Sequence, residues 1–243
     1  MNYGSLRPLG EASRRATWLV CCPHAGGTAA FFKDWPRRFP PAIQVVPVQY
    51  PGHGDRLDEP PVNDVHELSA MVAAEVSARP ELILFGHSLG AAVAFELAVR
   101  LAEAGTPPRA LLISARGAPN HERVKPPPTD EAIWQEMTRL GGTPPEIAAS
   151  PDWRELLAPQ LRADFHADAT YVPSRTRLPC PVTVMAGEDD ADVSRASIDA
   201  WEKYTEAEFT VRVFPGGHFY LADHVTDIAA EVVRHATFEA SRD

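Results

Sequence analysis

Only three cysteines occur in 243 residues, and two of them, Cys21 and Cys22, are adjacent. Neighbouring cysteines rarely bridge, so no disulfide framework can be drawn. The expectation is three small apolar side chains in a reducing cytoplasm. Their positions, with the third at Cys180, match no zinc-site spacing. Positive charge is also scarce: 23 Lys and Arg stand against 33 Asp and Glu, a net charge of −10. That balance argues against nucleic acid as a partner, although an acidic chain can still carry a local basic patch. No apolar run is long enough to cross a membrane. Arg14-Arg15 ahead of residues 16–23 would suggest a twin-arginine export signal. The apolar segment is short and leads into a glycine motif, so it reads as a first core strand instead. There is no internal repeat, and Gly52-His53-Gly54 lacks the third glycine of a dinucleotide fingerprint.

What remains is a core-forming chain, 44% hydrophobic, of a length that suits one α/β domain over residues 1–243. Short, apolar, often β-branched runs predict strands over 17–23, 43–49, 81–86, 110–115, 182–187 and 209–214. Helical patterns lie between most of them. Asp64-Val65-His66-Glu67 resembles a capping box and is followed by an apolar stripe of Leu68, Met71, Val72 and Val76. Residues 90–103 form a second helical pattern that closes at Gly105, and 194–204 and 224–239 are later candidates. Alternating strands and helices imply a mostly parallel central sheet with helices on both faces. Residues 116–178 break the alternation. No strand pattern occurs there, and Pro126-Pro127-Pro128, Pro144-Pro145, Pro151, Pro159 and Pro173 punctuate short helical pieces. An insertion of this length predicts a helical lid, with an ordinary peripheral helical layer as the alternative.

One pentapeptide, Gly86-His87-Ser88-Leu89-Gly90, joins a predicted strand to a predicted helix. That is the setting in which G-x-S-x-G becomes a nucleophile elbow, with the serine on a sharp turn and glycines where Cβ atoms would collide. A serine hydroxyl needs a base, and the base needs an orienting carboxylate; on this topology they follow in the order Ser, Asp or Glu, His. Of the nine histidines, His218 stands in Gly216-Gly217-His218-Phe219, just after the last predicted strand. His224 is its rival, and His87 reads as a packing residue that points away from the elbow. The acid must come from Gly187-Glu188-Asp189-Asp190-Ala191-Asp192; Asp190 is favoured by its distance from the strand end, with Asp189 and then Asp192 behind it. Acyl transfer also needs two donors for an oxyanion. The N–H of Leu89 is one; the loop Pro23-His24-Ala25-Gly26-Gly27 should offer the other, from Ala25 or alternatively Gly26.

These motifs, with Gln49-Tyr50-Pro51-Gly52-His53-Gly54-Asp55-Arg56, Gly141-Gly142-Thr143-Pro144 and Leu161-Arg162-Ala163-Asp164-Phe165, occur in order along nearly the whole chain. The combination resembles the type II thioesterases of nonribosomal peptide and polyketide assembly lines, within the α/β-hydrolase superfamily. Two positions depart from the pattern: His53 replaces the usual arginine, and Leu89 a frequent methionine. The resemblance implies hydrolysis of acyl thioesters from the phosphopantetheine arm of an acyl or peptidyl carrier protein, through an acyl-enzyme on Ser88. It implies no metal and no bound cofactor, and a cytoplasmic monomer whose carrier comes in trans. An apolar chamber lined by Gly26, Ile133, Met137, Leu157, Leu161 and Phe165 would receive the acyl chain; the same stripe could instead pack the insertion onto the core. The same catalytic groups would also serve a small-molecule carboxylesterase or lipase, or an acyltransferase that passes the acyl group to an amine or alcohol. A docking module without catalysis is opposed by the intact Ser88, Asp190 and His218.

Overall fold

All six expected strands form, and they pair in parallel as one sheet in the order β2-β1-β3-β4-β5-β6. They are β1 (Thr17–Cys22), β2 (Ile43–Pro47), β3 (Leu82–His87), β4 (Ala110–Ser114), β5 (Val182–Gly187) and β6 (Phe209–Phe214). The structure is a computed structural model that describes residues 4–13, 15–77, 79, 81–119, 127 and 129–237. Arg14, Pro126, Pro128 and residues 238–239 of the last expected helix lie outside the described residues, as do 120–125 of the expected insertion.

A parallel sheet is covered on both faces, which is why β3 reads as an unbroken apolar run and is buried at all six positions. The pleat splits β1 between two cores. Val20 and Cys22 pack toward α1 (Val65–Val76), α2 (Leu89–Glu103) and the Trp201 region. Leu19 and Cys21 pack on the other side with Phe32, Trp35 and α7 (Val225–Thr237). Local chemistry sets the helix ends. The Asp64 carboxylate accepts the Glu67 N–H at 2.8 Å. The end of α2 closes through Gly105 at φ 78°, with Thr106 N–H donating to Leu101 O at 2.9 Å, a Schellman arrangement. Met71, expected on the apolar stripe of α1, is only half-buried. The expected helix over 194–204 is α6 (Arg195–Asp199) running into a 3₁₀ turn, Ala200–Tyr204.

Between β4 and β5 stand α3 (Asp130–Leu140), α4 (Pro145–Ala148) and α5 (Pro151–Thr170). Short proline-bounded pieces were expected throughout. Pro145 and Pro151 do sit in first turns, but α5 continues for 20 residues with Pro159 inside it. An interior proline costs about 3 kcal/mol of helix stability. Burial of the apolar Leu161, Ala163 and Ala167 in the turns that follow offsets it. Leu156 does not share that face and is 46% exposed. Among the described residues no helix is long and apolar enough to cross a membrane.

Chain order places β1 and β3 side by side, with β2 beyond β1 and β4 beyond β3. The winding direction reverses between β1 and β3, and in parallel sheets the crevice at such a reversal is where ligands bind. The loop after β1 carries Ala25, and the turn after β3 carries Ser88.

Candidate active site

Ser88 lies between β3 and α2 with φ 54° and ψ −118°. A Cβ added at Gly86 would overlap the Gly90 carbonyl, and one added at Gly90 would overlap the Cys22 carbonyl. Strand, helix and neighbouring strand therefore meet too closely for any side chain, which is the physical content of the two glycines. The turn is pinned by the Ser88 N–H donating to Ser114 O at 2.9 Å. Among the described residues, Ser88 and Ala115 are the two non-glycines with positive φ, and both line one cavity. Such backbone strain clusters where surrounding structure over-determines a functional geometry.

His218 reaches the same cavity from the loop after β6. Its Nδ1 is 2.8 Å from Asp190 Oδ2, both side chains are almost fully buried, and its Nε2 has no hydrogen-bond partner. The backbone explains how the acid loop and the histidine loop meet. Glu188 N–H donates to Phe214 O and Asp189 N–H to Gly216 O, at 2.8 and 2.9 Å. Gly187 has no room for a Cβ against the Gly216 and Gly217 carbonyls. Of the four acids in the loop, Glu188, Asp189 and Asp192 are exposed and Asp190 is buried. Asp190 Oδ1 accepts the Asp192 N–H at 3.1 Å, while the Asp192 carboxylate takes Arg139 of α3 at 2.6 Å.

The competing histidines are otherwise engaged. His224 pairs with Asp227 at 3.1 Å at the start of α7. His87 turns onto β4, with Nδ1 2.9 Å from Ser114 Oγ, which in turn meets Tyr220 OH at 2.7 Å. Burial, with the His218 and His24 rings nearby, holds His87 well below the ordinary histidine range. It is a neutral ring packed behind His218, at a centroid distance of 5.2 Å. His24 is likewise pushed down to about 3, chiefly by burial.

Gly26 N–H donates to Asp164 Oδ2 at 2.6 Å, so of the two expected donors in the loop after β1 it is the engaged one. Ala25 lines the cavity beside Ser88 and Leu89. Two cavities meet at Ser88 and His218. The larger, about 460 Å³, carries polar groups from Arg116, Glu136, Asp168 and Asp192. The smaller, about 120 Å³, is walled by Met137, Ile147, Leu157, Phe165 and Phe219 and touches Gly26. Of the expected chamber residues, Gly26, Met137, Leu157 and Phe165 are there. Ile133 and Leu161 are not; they form a small buried cluster with Trp134 inside the insertion, and the cavity residues Met137, Ile147, Leu157 and Phe165 pack against it. Their periodicity marked a buried face, and two helices of an insertion must bury part of that face against each other. Arg116 was not anticipated. It contacts the Ser88 carbonyl at 3.3 Å and Asp168 at 2.5 Å. Its place just beyond the end of β4, on the ligand side of a parallel sheet, was the available signal.

The profile of the thioesterase domain family matches residues 17–236. The chain is 38% identical over 234 residues to the "Probable cadicidin biosynthesis thioesterase" of Streptomyces griseus, covering 94% of this chain and 65% of that protein. It thus spans just under two thirds of that relative's length. It is 37% identical over 238 residues to Thioesterase PikA5 of Streptomyces venezuelae, covering 95% of this chain and 84% of the other. The solved structure of the type II thioesterase BorB from the borrelidin biosynthetic cluster superposes with a TM-score of 0.88 at 35% identity, covering 97% of this chain and all of that one. The chain belongs to the thioesterase family, as a serine-dependent thioester hydrolase of type II with the α/β-hydrolase fold.

Proposed function

We propose that the enzyme clears acyl groups from the phosphopantetheine arm of a carrier protein supplied in trans, with Ser88, His218 and Asp190 as its catalytic triad. The observation that carries this reading is the meeting of two unlike cavities at one serine. A long polar arm fits the 460 Å³ cavity, and a short apolar acyl group fits the 120 Å³ one, with the thioester between them at Ser88. Helices α3 and α5 wall both cavities, α4 walls the smaller through Ile147, and together they act as a lid that excludes water from the reacting bond.

In the first half-reaction His218 Nε2 accepts the Ser88 proton as Oγ attacks the thioester carbonyl. The negative charge that forms on the carbonyl oxygen is received by the N–H groups of Leu89 and Ala25. The carbon–sulfur bond breaks, the thiol leaves with the proton held by His218, and the acyl group remains on Oγ. Water then repeats the sequence with His218 as base and releases the acid. Asp190 holds the ring with Nδ1 protonated and balances the imidazolium that forms twice per cycle.

Intact-mass analysis of carrier proteins loaded with acyl groups of increasing length tests this reading. Wild type is expected to return the free-thiol carrier and Ser88→Ala to leave every acyl carrier intact while still binding it. Full turnover by Ser88→Ala, or a preference for simple oxygen esters by orders of magnitude, would overturn it.

A further inference from the structure

A second histidine–aspartate pair is buried about the loop after β1, and neither residue belongs to the triad. His53 and Asp164 have side-chain exposures of 1% each, and His53 Nε2 lies 2.9 Å from Asp164 Oδ2. The same oxygen accepts the Gly26 N–H at 2.6 Å. His53 Nδ1 faces the Pro51 carbonyl at 2.9 Å. Both ring nitrogens therefore face atoms that can only accept, or that accept already. A neutral imidazole carries one N–H and would point a lone pair at one of them. Two acceptors call for two protons on the ring, and a carboxylate buried in α5 calls for a cation beside it. We propose that His53 and Asp164 are positioning residues: an imidazolium–carboxylate pair that clamps the Gly26 amide and so aims the adjacent Ala25 N–H at the oxyanion.

The loop needs such a clamp. Gly26 sits at φ +72°, and a Cβ there would run into Leu161 of α5, so the backbone passes close against that helix. Asp164 is the hydrogen bond that fixes its height. A displaced oxyanion donor loses most of its effect, because its contribution depends on standing where charge develops. The clamp also ties α5 of the insertion to the loop after β1, so the lid and the oxyanion site move as one piece.

Among the described residues, Asp164 is the charged group that acts on His53. Asp164 approaches from α5, Tyr50 lies edge-on in its own loop at a centroid distance of 5.9 Å, and His24 faces it from the loop after β1 with its proton affinity driven down to about 3. Arg56, on the following turn, is committed to Glu59, Ser5 and the Gln49 carbonyl. Burial alone would lower the proton affinity of His53, but the Asp164 carboxylate and the Pro51 carbonyl raise it above the ordinary value. A raised histidine contributes fully at pH below its ordinary value and loses that contribution as pH climbs through the raised one. The clamp therefore opens on the alkaline side, whereas the acid side of the profile belongs to His218, which must be unprotonated to accept from Ser88.

This inference rests on Ala25 as an oxyanion donor. The test is the pH profile of kcat and KM on an acyl-carrier thioester for wild type, His53→Gln and His53→Arg, with ¹⁵N spectra of the His53 ring in wild type. His53→Gln is expected to lower kcat by about tenfold to a hundredfold with little change in KM, as for a weakened transition-state contact. His53→Arg, a permanent cation, is expected to keep at least tenfold more kcat than His53→Gln and to abolish the alkaline fall without moving the acid limb. Both ring nitrogens of wild-type His53 are expected to be protonated at pH 7. A His53→Gln enzyme with wild-type kcat and profile, an alkaline limb that survives in His53→Arg, or a neutral His53 ring at pH 7 would overturn the inference. Failure of the triad reading is distinguishable, since that would show as an active Ser88→Ala enzyme.

Discussion

Replacing Asp190 by asparagine asks one oxygen to do the work of two. In the native loop Oδ2 receives His218 Nδ1 at 2.8 Å and Oδ1 receives the Asp192 N–H at 3.1 Å. If the asparagine oxygen turns to the Asp192 N–H, its amide donates to His218 Nδ1 and drives the ring proton onto Nε2. That atom can then no longer accept from Ser88. The opposite orientation keeps the correct tautomer but sets the amide against the Asp192 N–H and leaves that part-buried donor facing another donor, at about 1–3 kcal/mol. Only about a tenth to a hundredth of molecules then hold the productive tautomer, at 1.36 kcal/mol per decade. The imidazolium in the transition state also loses its counter-charge, and a hydrogen bond to a charged group is worth about 1.5–3 kcal/mol. Multiplied together, the expected loss in kcat is about 10² to 10⁴. The assay is single-turnover hydrolysis of an acyl-carrier thioester, followed by intact mass, on protein whose thermal midpoint confirms folding. Asp189→Asn, altering an exposed side chain, is the control and should stay within about twofold, as surface changes commonly do. A folded Asp190→Asn enzyme that loses less than about tenfold would refute this reasoning, as would an equal loss in Asp189→Asn.

Two further predictions concern stability and thiol chemistry. Gly90→Ala forces a Cβ into the Cys22 carbonyl, and because backbone cannot yield as a side chain does, a loss of about 3 kcal/mol or more is expected in denaturant unfolding; an unchanged midpoint would show that the elbow relaxes. Burial pushes the Cys22 and Cys180 thiols up to about 12 and Cys21 well above its ordinary value, so at pH 8 almost no thiolate exists. Native protein should release colour from an aromatic disulfide reagent only on unfolding, and prompt reaction of any cysteine would contradict that burial.

The strands were legible because a parallel sheet buries both faces. Residues 182–187 and 209–214 form strands with the boundaries their apolar runs indicate, and the other four differ by a residue or two at their ends. The elbow was legible because its constraints are local: Gly86 and Gly90 are demanded by backbone contacts within one strand–turn–helix unit and its neighbour. Proline was a poorer guide. Pro159 reads as a breaker, yet α5 passes through it, since burial of a distant face outweighs a local penalty.

By itself, then, the chain order of apolar runs and glycines determined the sheet, the position of Ser88 and the candidates for its partners. Four acids within five residues are indistinguishable in sequence. Only the pairing of β5 with β6 and the seating of Gly187 against the next loop turn Asp190 inward and leave the other three in water. The same holds for Ala25 against Gly26, which differ because Asp164, 138 residues on, engages one of the two amides. His53, a departure from the expected pattern with no evident role in sequence, acquires one from the same long-range contact. Local periodicity reports burial, but which buried groups touch is decided by chain segments far apart in sequence, and so it emerges only when the tertiary structure closes.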